Sequence, residues 1–181
     1  MKKTLLAIVA ISASVGVFAQ GSVNFANDFV SLGVDSPGLP VYAADGTTAL
    51  AGADYWVQLY GAAEGGSVAP VGAAVNFLTG GFAGIFAGGT RAVDGVAPGA
   101  NALLEVRAWE AAGGATYEAA LAAGALTGVG NQFTVATGGA GQPPSLPANM
   151  VGFQSFSLVP EPSTTALGIL GAVALLLRRR K

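Results

Sequence analysis

Between Ala102 and Glu110 the side chains alternate with a period of two. Leu104, Val106 and Ala108 point one way, and Leu103, Glu105, Arg107 and Trp109 the other. The same alternation runs through Asp54–Tyr60, with Tyr55, Val57 and Leu59 against Asp54, Trp56, Gln58 and Tyr60. A period of two excludes a helix there and demands pairing partners. Turn signals supply the punctuation: Asp45-Gly46, Gly80-Gly81 and Asp94-Gly95. Between them, Ser22–Phe25, Ala74–Leu78, Phe82–Phe86, Gln132–Ala136 and Phe153–Val159 read as further short strands. Asp28 to Pro40 reads as a polar loop, Gly61–Gly66 as a break ending the second strand, and Thr137–Pro147 as a Gly/Pro loop. Only the alanine-rich run Tyr117–Ala125 predicts a short helix. The pattern predicts an all-β chain, a single β-sandwich-like domain of about seven short strands.

Composition then narrows what such a domain can do. The segment Gln20–Val159 is about 140 residues, enough for one domain. It holds two cations, Arg91 and Arg107, against nine carboxylates, a net charge of −7 that the whole-chain value of −2 conceals. An acidic surface repels phosphate backbones, so no nucleic acid is expected as a partner. The chain has no histidine and no cysteine. That removes Ser-His-Asp and Cys-His catalysis, histidine zinc sites and disulfides, leaving packing and hydrogen bonds to hold the fold. No cofactor and no metal are expected.

The cations missing from the body lie at the two ends. Met1-Lys2-Lys3, the apolar stretch Leu5–Val17 and the small residue Ala19 have the three-region form of a secretory signal peptide. Residues 1–19 are expected to be removed by signal peptidase after Sec-dependent export, between Ala19 and Gln20. A retained signal anchor is the alternative, disfavoured by the polar breaks at Ser12 and Ser14. At the other end, residues 159–181 combine Pro160-Glu161-Pro162, an uncharged run over 163–177, and Arg178, Arg179, Arg180 and Lys181. As a helix the run spans about 22 Å, short of a bilayer core of roughly 30 Å. Snorkelling arginines and local thinning can make up the difference. The four cations fix its orientation, with the tail in the cytoplasm and the body outside it. Pro160 and Pro162 hold the preceding chain extended. A buried helix in a globular core is the alternative, but Ala166–Leu177 has no polar face.

This tail resembles the PEP-CTERM sorting signal. Pro160, Glu161 and Pro162 match its motif, followed by the helix and basic cluster. The resemblance covers Val159–Lys181 and implies recognition by exosortase, a multi-pass membrane cysteine transpeptidase of exopolysaccharide-producing Gram-negative bacteria. It implies cleavage near Pro160–Pro162 and transfer to the cell surface or extracellular matrix, with the inner membrane and periplasm as an intermediate stage. Similar tails also carry the label of ice-binding protein C-terminal domain, which describes the tag. Thr47-Thr48 and the scattered other threonines do not make the flat array that ice binding needs. Gly21–Asn27, Val106–Glu110 and Pro143–Pro147 resemble segments of short proteins with the same tail, which supports the fold and implies no activity.

Two constellations in the body remain. Glu105 and Glu110 are the best carboxylate pair for acid–base work on a sugar, yet their odd separation puts them on opposite faces of one strand. They read more simply as solvated strand residues, with Glu105 beside Arg107. Trp56, Tyr60, Arg107 and Trp109 share the second face of two strands. If those strands are neighbours, they form an aromatic stripe able to stack on sugar rings, unless the rings fill a small second cluster. The sequence therefore predicts an exported non-enzymatic surface or matrix protein, with a carbohydrate-binding module for exopolysaccharide as the alternative.

Overall fold

A computed structural model describes residues 20–35 and 38–160. The leader with Ala19, the motif residues Glu161 and Pro162, the apolar run 163–177 and the cations Arg178–Lys181 lie outside the described residues. Among the described residues, no helix is long and apolar enough to cross a membrane.

The described chain is mostly β. In order it forms β1 (Gly21–Ala26), α1 (Phe29–Leu32), β2 (Gly52–Ala63), β3 (Ala69–Phe77), β4 (Ala87–Val93) and β5 (Asn101–Glu110). There follow α2 (Tyr117–Ala123), β6 (Thr127–Val129), β7 (Phe133–Ala136) and β8 (Ala148–Asn149). One sheet has the order β4-β1-β8; the other runs β3-β2-β5-β6, with β7 also pairing to β5. The two alternating segments of the sequence are the centre of the larger sheet. They pair antiparallel without a break from Tyr55 opposite Glu110 to Ala63 opposite Ala102.

That register divides the ladder by face. Val57 opposes Ala108, Leu59 opposes Val106 and Gly61 opposes Leu104. These side chains meet Val23 and Phe25 of β1, together with Leu50, Phe86, Met150, Phe153 and Leu158, in one core. Phe25 and Phe86 stack with ring centroids 4.6 Å apart, and Phe77 and Phe153 each meet the Phe86 ring edge-on at 6.0 Å. Each such large apolar side chain contributes about 1.5–3 kcal/mol through burial.

Four expectations are corrected. The second strand does not break at Gly61 but continues to Ala63. A Cβ at Gly61 would stand 3.1–3.2 Å from Leu104, Val71 and Val93, so this glycine serves packing rather than termination. Phe82–Phe86 is not a strand. A 3-10 turn covers Gly80–Phe82, Ile85 N–H closes back on Phe82, and Phe86 N–H donates to the Asn27 side chain at 2.7 Å. Its buried Ile85 and Phe86 anchor a loop, and the strand follows at Ala87–Val93. The segment Asp28–Pro40 contains the single turn α1. Its N-cap Asp28 accepts from Ser31 N–H at 2.9 Å, and Gly33 closes it at φ 68°. Burial pushes the Asp28 carboxyl up, but its Ser31 hydrogen bonds outweigh that and hold it below the ordinary range. Finally, Phe153–Val159 pairs only through Ser157 with Tyr42 and Val159 with Thr127.

Candidate functional site

The other face of the β2–β5 ladder carries Trp56, Tyr60, Arg107 and Trp109, the residues of the expected stripe, together with Glu105. Trp56 lies opposite Trp109, Gln58 opposite Arg107 and Tyr60 opposite Glu105. The strands are neighbours, so the stripe exists. It is also covered. After β5 the chain turns back through Ala111–Gly113 into α2, which Thr116 caps by accepting from Ala119 N–H at 3.2 Å. A Cβ at Gly113 would lie 2.9 Å from Ala120 Cα, so the glycine lets the turn press onto the helix. α2 ends at Ala123, closed by Gly124 at φ 69°, two residues short of the expected end at Ala125.

Tyr117, the first residue of α2, is the lid of the stripe. Its ring meets Tyr60 and Trp109 edge-on, with both centroids at 6.4 Å. Tyr60 is 1% exposed and Trp109 0%. The Trp109 indole N–H donates to the Gly114 carbonyl at 3.0 Å. A sugar ring needs an open aromatic face, and these two rings offer none. The small second cluster, with Ala120 and the partly buried Trp56, Val68, Ala74 and Ala125, is what they build.

Arg107 lies across this cluster. Its guanidinium carbon stands 4.0 Å from the Tyr60 ring centroid and 5.0 Å from that of Tyr117. Its Nε donates to Glu105 at 2.6 Å, and its Nη1 faces Glu118 at 3.5 Å. Gln132 donates to the second Glu105 oxygen at 2.9 Å, and the Tyr60 hydroxyl donates to Glu118 at 2.8 Å. Burial alone would lower the Arg107 pKa, but the Glu105 hydrogen bond and charge raise it overall. Burial pushes the Tyr60 phenol well above its ordinary value, and Glu118 adds to this as hydrogen-bond acceptor and negative charge.

The network holds its own charges in place. Glu105 is 5% exposed, with both oxygens engaged. The expectation of a solvated Glu105 is thus corrected, although its closeness to Arg107 stands. Glu105 and Glu110 do fall on opposite faces of β5, since their partners Tyr60 and Tyr55 are five positions apart in the ladder. Among the described residues, no three His, Cys, Asp or Glu side chains are grouped to hold a metal ion. Sequence reasoning missed Tyr117, Glu118 and Gln132. The first two were marked only by the cap Thr116 and an acid in the first helical turn.

Trp56 is the one aromatic ring of the stripe left partly open. It borders a shallow apolar groove of about 500 Å³ with Ala74, Ala111, Gly114 and Ala115. Just after β1, Asn27 is wholly buried. Its amide donates to the carbonyls of Leu39 at 2.7 Å and Gly84 at 3.0 Å, pinning two loops to the end of β1. At the C-terminal limit of the described chain, Pro160 is exposed and directly follows the sheet-paired Val159. No family model, curated protein or solved structure matches this chain.

Proposed function

We propose that the chain is an exported, non-enzymatic protein of the cell surface or extracellular matrix of an exopolysaccharide-producing Gram-negative bacterium. In this reading it is built as a single β-sandwich-like domain, passes the Sec machinery and signal peptidase, and is held at the inner membrane by its C-terminal helix. Exosortase then removes the tail. The observation that carries this is the tripartite tail: Pro160-Glu161-Pro162, an uncharged run, and four terminal cations. The body is consistent with a structural role, because its charged cluster spends its charges on itself: Glu105 and Glu118 both pair with Arg107. The test is Pro160→Ala with Pro162→Ala in a host that has exosortase. Tail removal and surface delivery should stop; unchanged processing in that variant overturns the proposal.

A second reading, a carbohydrate-binding module, is favoured by the groove beside Trp56. It gives Trp56 alone the stacking role and keeps Tyr60, Arg107 and Trp109 as its support. Trp56→Ala should abolish retention on the producer's polysaccharide while leaving the fold intact. Retention equal to that of the unaltered protein removes this reading.

A further inference from the structure

The end of the body is built into the larger sheet. Tyr42 N–H donates to the Phe156 carbonyl at 2.9 Å, and Leu158 N–H donates to the Tyr42 carbonyl at 2.9 Å. On the other side, Val159 N–H donates to the Thr127 carbonyl at 2.7 Å, and Thr127 N–H returns to the Val159 carbonyl at 3.3 Å. Phe156–Val159 thus lies between the Tyr42 segment and β6. Leu158 is 0% exposed and belongs to the main core. The sequence makes room for it. A Cβ at Gly128 would stand 2.9 Å from Leu158 Cδ2, and one at Gly130 would stand 3.1 Å from the Phe156 ring. The next residue, Pro160, has no N–H to continue a ladder, and it is exposed. Among the described residues, Val159 is the last that pairs.

A peptidase or transpeptidase must draw the chain on both sides of the scissile bond into its own cleft. Cutting inside Phe156–Val159 would first require stripping these hydrogen bonds and pulling Leu158 from the core. From this geometry we infer that the sheet-bound segment Phe156–Val159 sets the upstream limit for tail removal, so that the cut falls no earlier than the Val159–Pro160 bond. The inference rests on the sorting reading for its biological meaning and on the body's own hydrogen bonds for its geometry. The cut breaks one peptide C–N bond. The tail leaves with the amino nitrogen, and the body keeps the acyl carbon as a carboxylate with water as acceptor, or as a new amide with an amine. In either case the mature body retains Leu158 in its core.

The test uses the full chain in detergent, digested with proteinase K under native conditions, with the C-terminal boundary read by mass. The expected boundary is Val159 or later; cleavage within Phe156–Leu158 as fast as beyond Pro160 overturns the inference. Val159→Pro, which deletes the N–H that reaches Thr127, should move the boundary into Phe156–Leu158 and speed cleavage there up to about tenfold. An unchanged boundary in that variant overturns it too. In a host with exosortase, the mature C-terminus should be Val159 or a later residue, and any earlier terminus refutes the limit. A chain left uncut in that host refutes the sorting reading, while the digestion still decides the limit.

Discussion

Replacing Arg107 by alanine isolates the energetics of the covered face. The guanidinium is the only described cation touching Glu105, whose side chain is 7% exposed, against 21% for Arg107 itself. Removing one partner of a buried ion pair costs about 3–5 kcal/mol, because the other charge stays behind without compensation. Gln132 still donates to Glu105, which places the loss near the lower end, about 3 kcal/mol. Loss of the contact with the Tyr60 ring adds about 0.5–1 kcal/mol. For a domain of this size, each kcal/mol lowers Tm by about 2–4 °C, so the variant should melt roughly 7–16 °C lower. Urea unfolding followed by tryptophan fluorescence is the natural assay, since both tryptophans, Trp56 and Trp109, belong to this cluster. The double change Glu105→Leu with Arg107→Met should recover most of the loss, to within about 1 kcal/mol, because a buried pair can be exchanged for apolar groups of similar volume. A loss below about 1 kcal/mol for Arg107→Ala would mean the pair behaves as an exposed one, and the argument for a closed cluster would fail.

Three further outcomes follow from the same structure. Tyr60 has its pKa raised above the ordinary 10.0, so its contribution to stability is complete below about pH 10 and is lost as pH rises toward the folded value. The phenolate absorbance that Tyr60→Phe removes should therefore appear only with unfolding, and its appearance in the still-folded protein would refute this burial. Asn27→Ala leaves the Leu39 carbonyl and the Phe86 N–H without their partner, while the Gly84 carbonyl keeps the Val41 N–H at 3.0 Å, and should cost about 2–6 kcal/mol in urea unfolding, at about 1–3 kcal/mol per unsatisfied group; a loss under about 1 kcal/mol would mean water replaces the amide. Asp45 is lowered to about 2, first by the Thr48 hydroxyl and then by the Thr48 and Thr47 N–H groups, so this turn is held above the unfolded carboxylate pKa and released as pH falls through about 2. Thr48→Val should move its NMR titration midpoint up toward 3.8, and an unmoved midpoint would remove the hydroxyl as the main cause.

Particular residues explain what the sequence made legible. β2 and β5 could be read because both faces of their ladder are packed, so the two-residue period is complete from Tyr55 to Tyr60 and from Leu103 to Trp109. The membership of the second face, Trp56, Tyr60, Arg107 and Trp109, was equally plain. Its fate was not. Whether an aromatic face meets solvent or a helix depends on where the chain goes after Glu110, and the seven-residue α2 has too few turns to display a clear apolar stripe. β4 was missed because Ala87-Gly88-Gly89-Thr90 has weak strand propensity and owes its pairing to β1. Phe82–Phe86 misled for the opposite reason, since strong apolar residues also anchor loops in a core. Gly61 shows that a glycine in a strand marks close packing as readily as an end.

The most direct measurement of the sorting account is the intact mass of the protein recovered from the surface or medium of an exosortase-bearing host. The account predicts a chain that begins at Gln20 and ends between Val159 and Pro162, without the apolar run and the four terminal cations. A surface-delivered chain that still carries Arg178–Lys181, or a chain that stays in the cytoplasm with Met1 in place, would contradict it.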